Sequence, residues 1–161
     1  MKTQPDAAHE HAAGKLTIIL VTHGEIGRAL LDVARYILGR PLENFVAVTV
    51  PFMGELQGAE EIDGAAPFAA RQDLIRERID AAMRSVPGGE GVLILTDVLG
   101  GTGFNAARGM LGKAPAAIVA GVNLPMVLKA ADLAVADPIA AAAELEERSR
   151  RAIVGRIFHP L

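Results

Sequence analysis

The chain has no cysteine and no tryptophan, and aromatic residues make up only 4% of it. The first absence excludes disulfide scaffolds, cysteine nucleophiles and thiolate metal sites. The second leaves the core to be built from Ala, Val, Ile and Leu. Basic charge is not in excess either. The formal net charge is -3, with Lys and Arg scattered along the chain, so there is no electrostatic footprint for nucleic acid. No apolar run approaches the ~20 residues that a membrane-spanning helix needs. The opening stretch MKTQPDAAHEHAAGK lacks the apolar centre of a signal peptide. Residues 1–14 are therefore expected to be a disordered tail, and the protein to be cytoplasmic, peripheral to a membrane at most. HExxH and other metal-ligand spacings are missing, so neither a metal nor a cofactor is expected. A P-loop and a GxSxG elbow are missing too, which removes support for nucleotide hydrolysis and serine-esterase chemistry. What remains is 161 residues, 51% of them hydrophobic, enough for one domain with a real core over residues 15–161.

What is present is an alternation of two periodicities. Leu16 to Thr22 is a continuous apolar and β-branched run, the pattern of a strand buried on both faces. Ile26, Ala29, Leu30, Val33, Ala34, Ile37 and Leu38 then recur at helical spacing until Gly39 and Pro41 stop them. Phe45 to Val50 predicts a second strand, closed by Pro51, and Phe52 to Ala70, with its glycines and acids, predicts a long surface loop. A second helix carries Ile75, Ile79, Ala82, Met83 and Val86 on one face. Val92 to Thr96 is a third strand, and Gly100-Gly101-Thr102-Gly103 turns into a helix near Phe104. Ala116 to Val122 predicts the fourth strand, followed by a short helix over Pro125 to Leu133. Asp137-Pro138 caps a last helix, whose surface pairs Glu144 with Arg148, Glu146 with Arg150 and Glu147 with Arg151. Residues 152–158 form an apolar, β-prone piece with no later partner in the chain.

Strand-helix alternation of this kind predicts a single doubly wound α/β domain, with a mostly parallel four-stranded sheet of order 2-1-3-4 flanked by helices. In that order the first and third strands are neighbours, and the crevice at their C-terminal ends is where ligands bind. Thr22-His23-Gly24 and Asp97 to Asn105 both fall there. A neutral imidazole is a suitable nucleophile for reversible phosphoryl transfer. It acts best when a carboxylate fixes its tautomer, and Asp97 is the candidate for that role. The glycine-rich turn offers backbone N–H groups to an anion. The expected site is thus His23 and Asp97 as catalytic pair, with Thr22, Gly24, Gly100, Gly101, Thr102, Gly103 and Asn105 around the phosphoryl group. Each feature has a blander explanation: a solvated histidine, a turn aspartate, a tight strand-to-helix connection. Their convergence on neighbouring strand ends is what favours a site. His9, His11 and His159 are expected to have no catalytic part.

VTHGEIG at residues 21–27, TDVLGGTGFNAA at 96–107 and AGVNLPM at 120–126 resemble the signature segments of the mannose-family enzyme IIA of the phosphoenolpyruvate-dependent sugar phosphotransferase system. The resemblance runs from about Leu16 to Leu133. It implies that His23 carries a phosphoryl group received from the phosphocarrier protein HPr and passed to a IIB component, with Asp97 hydrogen-bonded to the imidazole. It also implies a homodimer in which a C-terminal strand, here 152–158, is exchanged onto the partner's sheet. The family usually has Pro where Gly103 stands, and the loop from Phe52 is longer than usual.

Other readings stay open at this point. Gly101-x-Gly103-x-x-Ala106 satisfies a dinucleotide fingerprint, but it follows the third strand and has no acid about twenty residues on. The phosphotransferase subunit of dihydroxyacetone kinase resembles the same fold and also carries a phosphohistidine. A regulatory phosphoprotein read out by partner binding would show the same residues.

Overall fold

A computed structural model describes residues 16–52, 66–86, 91–112 and 114–155. The order of elements is β1 (Thr17–His23), α1 (Ile26–Leu38), β2 (Phe45–Val50), α2 (Ala66–Ser85), β3 (Val92–Thr96), α3 (Thr102–Arg108), β4 (Ala116–Ala120), α4 (Leu124–Ala130) and α5 (Pro138–Arg150). The four strands form one parallel sheet of order β2-β1-β3-β4, as the alternation predicts.

The side-chain period of two divides each central strand between two cores. Ile18 and Leu20 of β1, with Leu93 and Leu95 of β3, pack under Leu31 and Ala34 of α1, Val127 of α4 and Leu145 of α5. Ile19 and Val21, with Val92 and Ile94, pack under Ile75 and Ile79 of α2 and Ala106 and Ala107 of α3. This two-sided burial is why β1 and β3 read as unbroken apolar runs. The edge strands are covered less completely, and β4 keeps only Val119 fully buried.

Several boundaries shift from their expected places, each for a local reason. Helix α2 begins at Ala66, so Ala66 to Ala70 belong to the helix and not to the loop. Pro67 is no obstacle, because a first-turn proline lacks only an N–H that would have no intrahelical partner. The rest of the expected loop, residues 53–65, lies outside the described residues, as do the expected tail and residues 156–158 of the C-terminal piece. Helix α3 starts at Thr102, two residues before Phe104. Strand β4 ends at Ala120 because the Thr96 carbonyl accepts from both Gly121 N–H (2.8 Å) and Val122 N–H (2.9 Å), turning the chain out of the ladder. Helix α4 starts at Leu124, where Asn123 caps it by accepting from Met126 N–H at 3.0 Å. It ends at Ala130, three residues before Leu133. Asp137 caps α5 in the same way through Ala140 N–H at 2.8 Å, and all three expected ion pairs are present on that helix. Ala152 to Gly155 follow as turn and irregular chain, exposed, with no strand partner among the described residues.

Candidate functional site

His23 ends β1, and Asp97 directly follows β3. Because Val21 is paired with Thr96 in the parallel ladder, Asp97 stands level with Thr22, one residue before the end of β1. The geometry brings the two side chains together. Asp97 Oδ2 accepts from the backbone N–H of His23 at 2.8 Å and meets His23 Nδ1 at 2.9 Å, while Oδ1 accepts from Val98 N–H at 2.9 Å. The side chain of His23 is 30% exposed and that of Asp97 only 14%.

The charge state follows from those contacts. Burial pushes the Asp97 carboxyl up, but the hydrogen bonds from the His23 backbone and ring, and the ring's charge when protonated, act against it. The net position is below the ordinary value of 3.8. At neutral pH Asp97 is a carboxylate and can only accept, so Nδ1 must be the donor. A neutral imidazole fixed in that tautomer keeps its lone pair on Nε2. The site is thus a partly exposed ring nitrogen beside a largely covered acid, an arrangement that can serve as a nucleophile with its orienting group.

On the same face of the sheet, α3 comes down against the strand ends. A Cβ on Gly103 would fall 2.9 Å from Val50 Cγ2 and 3.1 Å from Val21 Cγ1, so the first turn of the helix touches β1 and β2 directly. Glycine at this position therefore belongs to a close approach between helix and sheet, and not to a loosened helix start. The N-cap residue Gly101 supplies no side-chain cap. The first-turn N–H groups of α3, which include Thr102 and Gly103, have no intrahelical acceptor by construction.

The remaining expected residues divide. Thr22 points to the opposite face: it is 1% exposed, and its Oγ1 accepts from Gly27 N–H at 2.8 Å, tying the start of α1 to β1. That removes its hydroxyl from the crevice. Gly24 N–H is directed to Val50 O at 3.3 Å. Asn105 Nδ2 donates to Gly100 O at 2.8 Å, so its amide serves the glycine turn. Gly100 itself has φ +75°, a left-handed conformation that only glycine adopts without cost.

Two residues of the site were not legible as such. Phe52 falls in the stretch that the sequence predicts as a loop, yet a Cβ on Gly24 would fall 3.0 Å from its Cζ, so the ring stands beside the turn that follows His23. Arg71 is buried, and its guanidinium donates to the carbonyl of Pro51, just before that ring. An aromatic residue following a strand-ending proline was the available signal for the first; for the second there was none. Among the described residues no group of three His, Cys, Asp or Glu could hold a metal, and no helix is long and apolar enough to cross a membrane.

Comparison with known proteins bears on the fold and the family. The profile of the EIIA-man family, described as PTS system fructose IIA component, matches residues 17–147. The PTS system fructose-specific EIIA component of Bacillus subtilis strain 168 is 29% identical over 119 residues, which cover 73% of this chain and 70% of that protein. Among solved structures, the mannose/sorbose specific IIA subunit of the phosphotransferase system from Enterococcus faecalis is 27% identical. It superposes with a TM-score of 0.67 over 91% of this chain and 98% of that one. The phosphotransferase system component EIIA from Streptococcus agalactiae shares the fold at 20% identity, with a TM-score of 0.67 over 87% of this chain and 96% of its own. With the family profile spanning both strand-end loops and all four strands, the chain belongs to the mannose-type IIA components of the phosphotransferase system.

Proposed function

We propose that this IIA component carries a phosphoryl group on His23 Nε2, taken from phospho-HPr and passed to a IIB component or used for regulation, in the cytoplasm. The observation that carries the reading is the 2.9 Å contact between Asp97 Oδ2 and His23 Nδ1 on a half-exposed ring. In the accepting step the Nε2 lone pair forms a bond to phosphorus. The donor's bond to phosphorus breaks, and its electron pair leaves with the donor. The imidazole becomes cationic as the N–P bond forms, and ionised Asp97 stabilises that charge through Nδ1–H. The phosphoryl oxygens bring a charge of about −1.5 to −2. In this reading they meet the backbone N–H groups at the start of α3, with Thr102 and Gly103 nearest, while Thr22, Gly24, Gly100, Gly101 and Asn105 maintain the scaffold. Incubation with phosphoenolpyruvate, enzyme I and HPr is expected to add one acid-labile, alkali-stable phosphoryl group. A His23→Ala protein that still labels would overturn the proposal.

The same reading includes a homodimer in which residues 152–158 add as a strand to the partner's β4 edge. Among the described residues no strand pairs with that edge, which is bordered by a groove lined by Ile118, Gly121, Met126 and Ile153. Ile153 is 78% and Val154 61% exposed, costly for apolar side chains unless something covers them. Truncation after Arg151 is expected to give monomers or unstable protein. Sedimentation of the full-length chain as a monomer at micromolar concentration would exclude the exchange.

A further inference from the structure

Between Asp97 and α3 lie Val98, Leu99, Gly100 and Gly101. Gly101 N–H donates to Val98 O at 3.2 Å, closing a turn in which Gly100 takes the positive φ of the third position, as in type II turns. The peptide unit that joins Gly100 to Gly101 is therefore held at both ends. Its N–H is held by Val98 O, and its carbonyl by Asn105 Nδ2 at 2.8 Å. A peptide plane with glycine on either side has little steric resistance to rotation. Hydrogen bonds must supply the restraint that side chains elsewhere supply.

The restraint leads back to the nucleophile. Val98, whose carbonyl receives the Gly101 N–H, uses its own N–H to hold Asp97 Oδ1 at 2.9 Å. The other oxygen of that carboxylate holds His23 through two contacts. Asn105 is itself anchored one turn into α3 by its N–H on Gly101 O at 2.9 Å. A continuous set of contacts thus runs from Asn105 through Gly100-Gly101 and Val98 to Asp97 and His23.

We infer that Asn105 is a positioning residue. By pinning the Gly100-Gly101 peptide it holds Asp97 where the carboxylate fixes the Nδ1–H tautomer of His23. Its side-chain amide acts on the loop, not on the phosphoryl group. The inference deepens the carrier reading and rests on it for the kinetic consequence, but the tautomer can be read without any phosphoryl donor.

The test uses the unphosphorylated full chain and its Asn105→Ala, Asn105→Asp and Asn105→Gln variants, compared by imidazole 15N NMR and thermal melting. The native protein is expected to show His23 in one neutral tautomer, protonated at Nδ1. Asn105→Ala, still folded, should populate both tautomers, and Asn105→Gln, which keeps the amide donor, should restore much of the native signature. If Asn105→Ala does not fold, Asn105→Asp, near-isosteric but without the donor, should show the mixed tautomers. In phosphoryl transfer from HPr the donor-lacking variants should lose about 10- to 100-fold in kcat, the range for groups that orient a reacting residue, with KM unchanged. A single native tautomer in a folded donor-lacking variant would overturn the inference. So would a loss confined to KM. Failure of every form, native included, to accept a phosphoryl group would overturn the carrier reading and leave the tautomer result to decide the role of Asn105.

Discussion

Ile94 and Ile118 are register partners on adjacent parallel strands, one residue type on one face of one sheet. Ile94, on β3, is 1% exposed, whereas Ile118, on β4, is only partly buried. The difference comes from position in the sheet. β3 has a strand on each side and helices on both faces, while β4 has an edge that no strand among the described residues covers. The same contrast separates the two ends of the chemistry. His23 and Asp97 stand on the doubly flanked strands, whose backbone cannot shift without disturbing both cores. The edge strand β4 carries neither member of that pair, and in the proposed dimer it is the strand that a partner would cover. A phosphoryl carrier needs this division, since a nucleophile has to be held in a narrow geometry whereas an association surface has to stay accessible.

The largest effect expected along the central strands is at Asp97. Asp97→Asn should keep the fold but slow single-turnover phosphoryl transfer by about 10²- to 10⁴-fold, the range for a lost acid–base or orienting group. The pH dependence has a defined sign. A carboxyl whose folded-state pKa lies below its unfolded value of 3.8 adds stability above that pH and loses it as pH falls through the lower folded value. Denaturant titrations should therefore show the native protein's advantage over Asp97→Asn present at neutral pH and disappearing below about pH 4. Unchanged transfer in the variant would reduce Asp97 to a turn residue and erase the functional contrast between centre and edge.

Next in size is the isoleucine pair. Ile94→Ala should destabilise the fold by about 2–5 kcal/mol, as for a fully buried site. In dilute protein Ile118→Ala should cost clearly less, because the open edge already leaves part of the side chain wet. If a partner's strand covers β4, the cost of Ile118→Ala should rise with protein concentration while that of Ile94→Ala does not. Equal costs at every concentration would break the comparison.

The smallest effect lies where helix and central strands meet. Gly103→Ala places a methyl 2.9 Å from Val50 Cγ2, an overpacking expected to cost about 1–3 kcal/mol. Val50→Ala should partly relieve it, so the double variant should be more stable than the sum of the single changes predicts. Additive melting shifts would mean that α3 moves away without strain.

Much of this was legible in the residues themselves. The apolar runs at 16–22 and 92–96 required burial on two faces, so they had to be central and parallel. Placing them side by side brings His23 next to Asp97, where the two side chains meet at 2.9 Å. Helix caps at Asn123 and Asp137 and the charge pairs on α5 depend on neighbours within a turn, and local chemistry of that kind survives translation into structure. What misled was the assumption that residues close in sequence to a site share its role. Thr22 adjoins His23, yet the period of a strand turns it to the other face, where it holds Gly27. Asn105 sits in the glycine block, yet its amide donates to Gly100 O.

The sequence by itself determined the strand order's two central members, the two loops at their ends and which histidine and acid meet there, because periodicity and residue chemistry are properties of short segments. Only the tertiary structure decided which side chains face the crevice and why Gly103 is glycine. Only it, too, brought Arg71 to the carbonyl before Phe52 and set β4 at the end of the sheet. Those outcomes depend on distances between segments far apart in the chain, Gly103 against Val50 and Arg71 against Pro51, and no local pattern encodes a distance across the fold.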